Sequence, residues 1–214
     1  ITEGVHKVGD VMYDAALFFG ERARTQSDAL PRLGLKERSF VLATCHRAEN
    51  TDDPLRLPAI CDGLARIAET TPVVLPVHPR LRKMLGDTSP ARLGRVTLVD
   101  PLPFLDMIAL ERPAAVIVTD SGGVQKEAYL AGVPCVTLRS ETEWVETVDA
   151  GWNRVVVDDP AALRAALDDG EFMRRDRPRP LLYGDGRTAE RIVAALERHA
   201  GSDERAQARE AATT

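Results

Sequence analysis

Cysteine is scarce in this chain, with three among 214 residues, and that scarcity excludes a disulfide-stapled fold. Cys45, Cys61 and Cys135 are odd in number and sit in apolar surroundings, which reads as reduced, buried thiols of a cytosolic protein. No C-x-x-C occurs, and the four histidines are as scattered as the cysteines, so no metal site is expected. Neither G-x-x-x-x-G-K-[ST] nor G-x-G-x-x-G is present, which removes a phosphate-loop ATPase and a nicotinamide enzyme and leaves no cofactor in view. No apolar run approaches about 18 residues and no signal peptide is seen, so the expectation is a soluble, cytoplasmic protein with no membrane partner. The net charge of −5 comes with no basic face, which argues against nucleic acid. One basic cluster, Arg174-Arg-Asp-Arg-Pro-Arg179, reads as a solvated loop or helix end. There is no internal repeat and no low-complexity segment.

What is present is organised around Thr119-Asp-Ser-Gly-Gly-Val-Gln-Lys-Glu-Ala128. Ala114-Ala-Val-Ile-Val118 before it is a short, β-branched apolar segment that reads as a buried strand. After it Val124, Ala128 and Ala131 recur at helical spacing until Gly132-Val-Pro134 ends the helix. Ser121, Gly122 and Gly123 therefore occupy a strand-to-helix turn, where free N–H groups and the positive helix end favour an anion, most often a phosphate. Glycine lets a diphosphate approach the backbone, Ser121 adds a hydroxyl, and Glu127 lies one turn in, placed to accept from a ribose diol. A bare S-G-G is as readily a structural turn. Its place at a switch point of an α/β sheet favours the ligand.

The rest of the chain alternates strand and helix. Strands are expected at 39–44, 73–77, 96–99, 114–118, 134–138 and 154–157. Helices are expected at 10–19, 54–69, 80–85, about 103–110, 121–131, 142–150, 160–167 and 186–199, with 27–38 rich in turns and 202–214 helical or packed. Repeated βα units with continuous apolar strands imply a parallel, doubly wound sheet with helices on both faces.

Ligands bind such sheets at the carboxyl ends of the strands. Four polar signals fall there: His46-Arg-Ala-Glu-Asn50, His78-Pro79, Asp100-Pro101 and Asp120-Ser-Gly-Gly123. His46 could donate to a phosphate oxygen or shuttle a proton, with Arg47 adding charge. His78, fixed before Pro79, reads as structural. A Cys45/His46 nucleophile pair is disfavoured, because neighbours in an extended segment point to opposite faces.

These residues resemble the non-hydrolysing UDP-N-acetylglucosamine 2-epimerases and related UDP-sugar 2-epimerases. The resemblance is carried by Val8-Gly-Asp-Val-Met-Tyr-Asp14, Thr44-Cys-His-Arg-Ala-Glu-Asn50, Pro76-Val-His-Pro79, Val99-Asp-Pro-Leu102, Thr119 through Glu127, Gly132-Val-Pro134, Thr142-Glu143 and Tyr183-Gly-Asp-Gly186. It runs in order to about Leu196 and covers the back half of the enzyme. It implies a glycosyltransferase-B-like fold of two Rossmann-like domains, of which this is the second. Residues 1–38 would be the linker helix and connection, 39–185 the UDP-binding domain and 186–214 a closing helical segment. Ser121, Gly122 and Gly123 would hold the diphosphate, Glu127 the ribose, and His46 with Arg47 the diphosphate beside the chemistry. Leu102 to Met107 would line the uracil pocket.

The reaction implied is inversion at C2 of the sugar, by elimination of UDP and its re-addition, with the proton-transfer carboxylates in a first domain. The opening at Ile1 reads as a chain entered partway, whether a fragment, a truncated product or a split gene product. The expected partners are a UDP-sugar and that first domain, and the resemblance admits a homodimer. By itself the chain is expected to be inactive. Many relatives carry Thr-Glu-Arg-Pro where this chain has Thr142-Glu-Trp-Val145, an indole in place of a cation. The continuation to Asn153 looks like relatives acting on further modified UDP-amino sugars. Two rival readings are a glycosyltransferase of the same architecture, which would need an acceptor, and a non-catalytic UDP-sugar-binding module or subunit.

Overall fold

The computed structural model describes residues 4–86, 92–156 and 159–211. The chain forms two compact units, Phe19–Pro180 and a second made of Ile1–Phe18 with Leu181–Thr214.

The larger unit is built on six parallel strands, β1 (Val41–Thr44), β2 (Val73–Pro76), β3 (Thr97–Val99), β4 (Val116–Thr119), β5 (Cys135–Thr137) and β6 (Asn153–Val155), in the order β3-β2-β1-β4-β5-β6. The order reverses between β1 and β4, the switch point of a doubly wound sheet. There Val41 pairs with Val116 and Thr44 with Thr119. Alternation along the strands feeds two cores: Val41, Ala43, Val116 and Val118 face one, while Phe40, Leu42 and Ile117 face the other. The first core is closed by α4 (Arg56–Ala68), α5 (Pro79–Leu85), α9 (Pro160–Asp168) and α10 (Gly170–Met173). The second is closed by α2 (Ala29–Arg32), α6 (Phe104–Glu111) and α7 (Gly122–Ala131). Two short helices lie at the strand ends, α3 (Ala48–Thr51) and α8 (Val145–Asp149).

The expected order of strands and helices holds, with three differences. The first helix, α1, runs Val11–Gln26 rather than stopping at Phe19, because Gly20 is tolerated and Ala23 beyond it is buried. The turn-rich segment contains α2, and α3 and α10 were not foreseen. Val157, expected to end the sixth strand, lies outside the described residues. The last difference is the basic cluster, which is not a solvated run. Arg175, Arg177 and Arg179 are half-buried and alternate with exposed neighbours along 174–180. Arg175 donates to the carbonyls of Gly132 (2.7 Å) and Ala114 (3.1 Å), and Arg179 to those of Tyr129 and Leu130. The Arg175 and Arg179 cations meet the negative end of α7, which explains why these two turn toward the protein. Arg177 stacks over Trp152 at 4.3 Å.

The smaller unit joins the chain's two ends. Asp10 caps α1 by accepting from Met12 N at 2.8 Å, and its own N–H donates to Tyr183 O at 3.0 Å. Asp14 accepts from Thr188 N (3.0 Å) and Ala189 N (2.7 Å), capping α11 (Thr188–Ala211). That helix takes the tail as far as Ala211, as expected; 212–214 lie outside the described residues. The three cysteines are free and buried.

Candidate functional site

The site is assembled at the carboxyl ends of β1, β4 and β5. Its anchor is Asp120, at the end of β4 and fully buried. Its carboxylate accepts from His46 N (2.9 Å), Arg47 N (2.9 Å) and Asn50 Nδ2 (3.1 Å), and His46 Nδ1 lies 3.3 Å away. Asn50 Nδ2 donates onward to Leu138 O at 2.9 Å, so the ends of three strands are tied together. Beneath them the hydroxyls of Thr44 and Thr119 meet at 2.6 Å. The His46-Arg47 turn is thus held against the Ser121 turn by a buried, charge-assisted set of hydrogen bonds.

Ser121 is the N-cap of α7, its Oγ accepting from Val124 N at 3.4 Å. Gly122 and Gly123 are the first helical residues, so their N–H groups have no carbonyl within the helix to bond. The helix ends on Gly132 in the left-handed region at φ 65°. Facing the first turn is the segment after β5. Thr142 Oγ1 donates to the buried Gln125 Oε1 at 2.6 Å, and Trp144 Nε1 to Gly122 O at 2.8 Å. Pinned in this way, the segment sets Glu143 directly against Gly122. Glu143 pairs with Arg139 at 2.5 Å and stands 4.0 Å from Arg47. Burial pushes the Glu143 carboxyl up, but its own backbone N–H, Arg139 and Arg47 outweigh that and hold it below the usual range. Arg139 Nε also lies 3.4 Å from Glu49, at ion-pair range.

Lys126, 5% exposed, places its ammonium 3.8 Å from the centre of the Trp144 ring.

His46, Arg47, Ser121, Gly122 and Gly123 are brought to one rim. Glu127 is half-buried one turn further along α7. Leu102 and Met107 lie to the side, half-buried against the core under α6. His78 caps α5, its Nδ1 accepting from Arg80 N at 3.2 Å, which is the structural role expected for it. Burial raises all three thiols, Cys61 to about 11 and Cys135 to about 12, so none is a thiolate near neutral pH. Among the described residues no cluster of His, Cys, Asp or Glu has the makings of a metal site, and no helix is long and apolar enough to cross a membrane. Sequence reasoning had no role for Asp120, Arg139, Glu143 or Lys126. Asp120, Lys126 and Glu143 lay in quoted motifs; the partners of Asp120 are remote in sequence, as are the Arg47 and Gly122 contacts that Glu143 adds to its near neighbour Arg139.

The family description UDP-N-acetylglucosamine 2-epimerase matches residues 2–197. The chain belongs to the UDP-N-acetylglucosamine 2-epimerase family. It is 44% identical over 196 residues to the UDP-2,3-diacetamido-2,3-dideoxy-D-glucuronate 2-epimerase of Pseudomonas aeruginosa, covering 88% of this chain and 51% of that protein. It is 37% identical over 163 residues to the UDP-N-acetylglucosamine 2-epimerase of Methanocaldococcus jannaschii, covering 73% and 44%. A crystal structure of the M. jannaschii enzyme in complex with UDP-GlcNAc and UDP superposes with a TM-score of 0.76 at 34% identity, covering 90% of this chain and 54% of that one. The chain therefore spans about half the length of the family members it matches. The glycosyltransferase-B-like character expected of the fold is that of these epimerases.

Proposed function

We propose that the rim around Ser121-Gly122-Gly123 is the UDP site of a UDP-sugar 2-epimerase, and that 39–185 is its nucleotide-binding domain. The observation that carries this reading is the Asp120 junction, which holds His46 and Arg47 beside the N-terminus of α7 at the sheet's switch point. In this reading Ser121 and the two glycine amides receive the diphosphate, and Arg47 and His46 flank it. Glu127 accepts from the ribose hydroxyls, and Leu102 and Met107 border the uracil. The complex of a relative with UDP supports the assignment.

The chemistry is loss of the C2 proton with departure of UDP, followed by re-addition of UDP at C1 and delivery of a proton to the opposite face of C2. Negative charge builds on the diphosphate as the C1–O bond breaks, and fixed donors on this rim stabilise it without reorganising. The base and acid are assigned to a further domain, since relatives are about twice as long. The sugar is a UDP-N-acetylhexosamine or a further modified UDP-amino sugar. Trp144 and the 44% identity to the diacetamido-glucuronate enzyme favour the latter.

The test is calorimetry on the chain. Glu127→Gln is expected to weaken UDP by roughly 1.5–3 kcal/mol, the worth of a charge-assisted hydrogen bond, and to leave inorganic pyrophosphate unchanged. Equal losses for both ligands would remove Glu127 from the ribose. The same chain in heavy water is expected to leave C2 of UDP-GlcNAc free of deuterium, and incorporation there would place the proton-transfer groups within these residues.

A further inference from the structure

The cations of the rim are already answered by carboxylates of the chain itself. Arg139, buried just past the end of β5, pairs through Nη1 with Glu143 at 2.5 Å, and its Nε lies 3.4 Å from Glu49. That Nε is enclosed and makes no hydrogen bond among the described residues. Arg47 stands 4.0 Å from the other oxygen of Glu143. Two arginines thus face two glutamates, and the group carries no net charge. The Asp120 carboxylate is taken up by amides, and the Lys126 ammonium is stacked on Trp144. A diphosphate brings further negative charge to a rim that is balanced without it.

Glu143 also stands in the way. Its Oε1 lies so close over Gly122 that a methyl there would overlap it. A phosphate is larger than a methyl, so it reaches this face of Gly122 only once the carboxylate has left. Both anions suit the same place, because the positive end of α7 favours either. Of the ion pair, the arginine is the fixed member: its side chain is 10% exposed, that of Glu143 42%. Hydrogen bonds from Thr142 and Trp144 pin the segment on either side of Glu143, so the side chain turns while the backbone stays. Glu49 meets Arg139 through Nε, which makes Nη1 the donor freed when Glu143 leaves.

We infer that Glu143 holds the place of the diphosphate in the free protein and that Arg139 is a further diphosphate-binding residue: the incoming phosphate displaces the carboxylate and takes over the Nη1 donor. The inference rests on the reading of the rim as a diphosphate site. Exchanging one anion for another keeps the buried guanidinium paired in both states, which avoids the penalty of an unpaired buried charge. Glu143 therefore competes with the ligand, and its charge weakens binding.

Calorimetry with UDP and with inorganic pyrophosphate tests it. Glu143→Gln keeps the size of the side chain and drops its charge. It is expected to bind both ligands about five-fold more tightly, the scale of a half-exposed ion pair. Asp149→Asn, on α8, removes the same charge from an exposed position outside the rim and is expected to change neither affinity. Adding Arg139→Gln to Glu143→Gln is expected to abolish the gain, because the cation to be released is gone. Affinity unchanged or lowered in Glu143→Gln, a gain matched by Asp149→Asn, or a gain that survives Arg139→Gln overturns the proposal. If the double variant does not fold, a crystal structure of the parent with pyrophosphate decides. A phosphate oxygen on Arg139 Nη1 with Glu143 turned away supports the exchange, and Glu143 still on Arg139 overturns it. The two readings fail separately. A parent that binds neither UDP nor pyrophosphate sinks the diphosphate site. A parent that binds both, beside a Glu143→Gln that binds no tighter, sinks only the exchange.

Discussion

Two regions of this chain carry its most motif-like residues, and they use the same chemistry for different ends. At the rim, Asp120 gathers the amides of His46 and Arg47. In the smaller unit, Asp14 gathers the amides of Thr188 and Ala189. Both are aspartates accepting paired backbone N–H groups, and both lie in segments that resemble the family. The difference lies in what remains unsatisfied. Around Asp14 the amides end on the carboxylate and the unit closes on itself. Around Asp120 the carboxylate is consumed in holding the turn, and the amides of Gly122 and Gly123 and the side chains of His46 and Arg47 still face outward. A motif marks a constraint; only leftover donors mark a site.

The sharpest way to break this comparison is Asp120→Ala. It strands several buried donors at once, and stability is expected to fall by roughly 3–5 kcal/mol, with UDP binding lost. Denaturant unfolding gives the first number and calorimetry on the folded fraction the second. If UDP affinity per folded molecule survives, the junction is scaffold and not part of the site.

A pair of glycines separates the two regions more finely. A methyl at Gly9 would stand 2.5 Å from Thr188 Oγ1 on a backbone with φ 109°. Gly9→Ala is expected to cost about 1–3 kcal/mol of stability and leave UDP affinity alone. A methyl at Gly122 would overlap Glu143 Oε1, the outer end of an exposed side chain that can swing aside on its pairing with Arg139. Gly122→Ala is expected to keep or slightly raise stability, since alanine suits a helix better. It is expected to weaken UDP about ten-fold or more by blocking backbone approach to the diphosphate. Thermal unfolding and calorimetry on both variants decide it, and a reversal of the two patterns would undo the division between clasp and site.

Much of this was legible in the sequence, for particular reasons. Val116 to Thr119 is uniformly buried, so its strand shows as an unbroken apolar run. Ser121 and Gly132 bracket α7 with a cap at each end. His78 showed its role through the proline that follows it. What stayed hidden depends on partners far along the chain. Arg175 reads as one of a solvated charge run until it meets carbonyls at Ala114 and Gly132. Glu143 is brought onto Gly122 by the hydrogen bonds of Thr142 and Trp144, whose partners lie 17 and 22 residues away. Local periodicity carries no information about such contacts, because each is set by tertiary packing.

The smallest expected effect belongs to Asp14, and its pH dependence sharpens the contrast. Burial raises its carboxyl, but the amides of Ala189 and Thr188 outweigh that and leave it below the ordinary value. A carboxyl depressed in the folded state contributes stability that is present above its unfolded pKa and is lost as pH falls through the folded one. Asp14→Asn keeps an acceptor but removes the charge at the N-terminus of α11, and at about pH 7 is expected to cost about 1 kcal/mol, as a helix cap does. At a pH low enough that the parent's carboxyl is protonated as well, variant and parent are expected to converge. Unfolding midpoints at the two pH values test this, and a gap that stays the same at both would show that Asp14 acts by shape and not by charge. UDP affinity is expected to be unmoved throughout, because every donor that Asp14 holds is already used in closing the smaller unit.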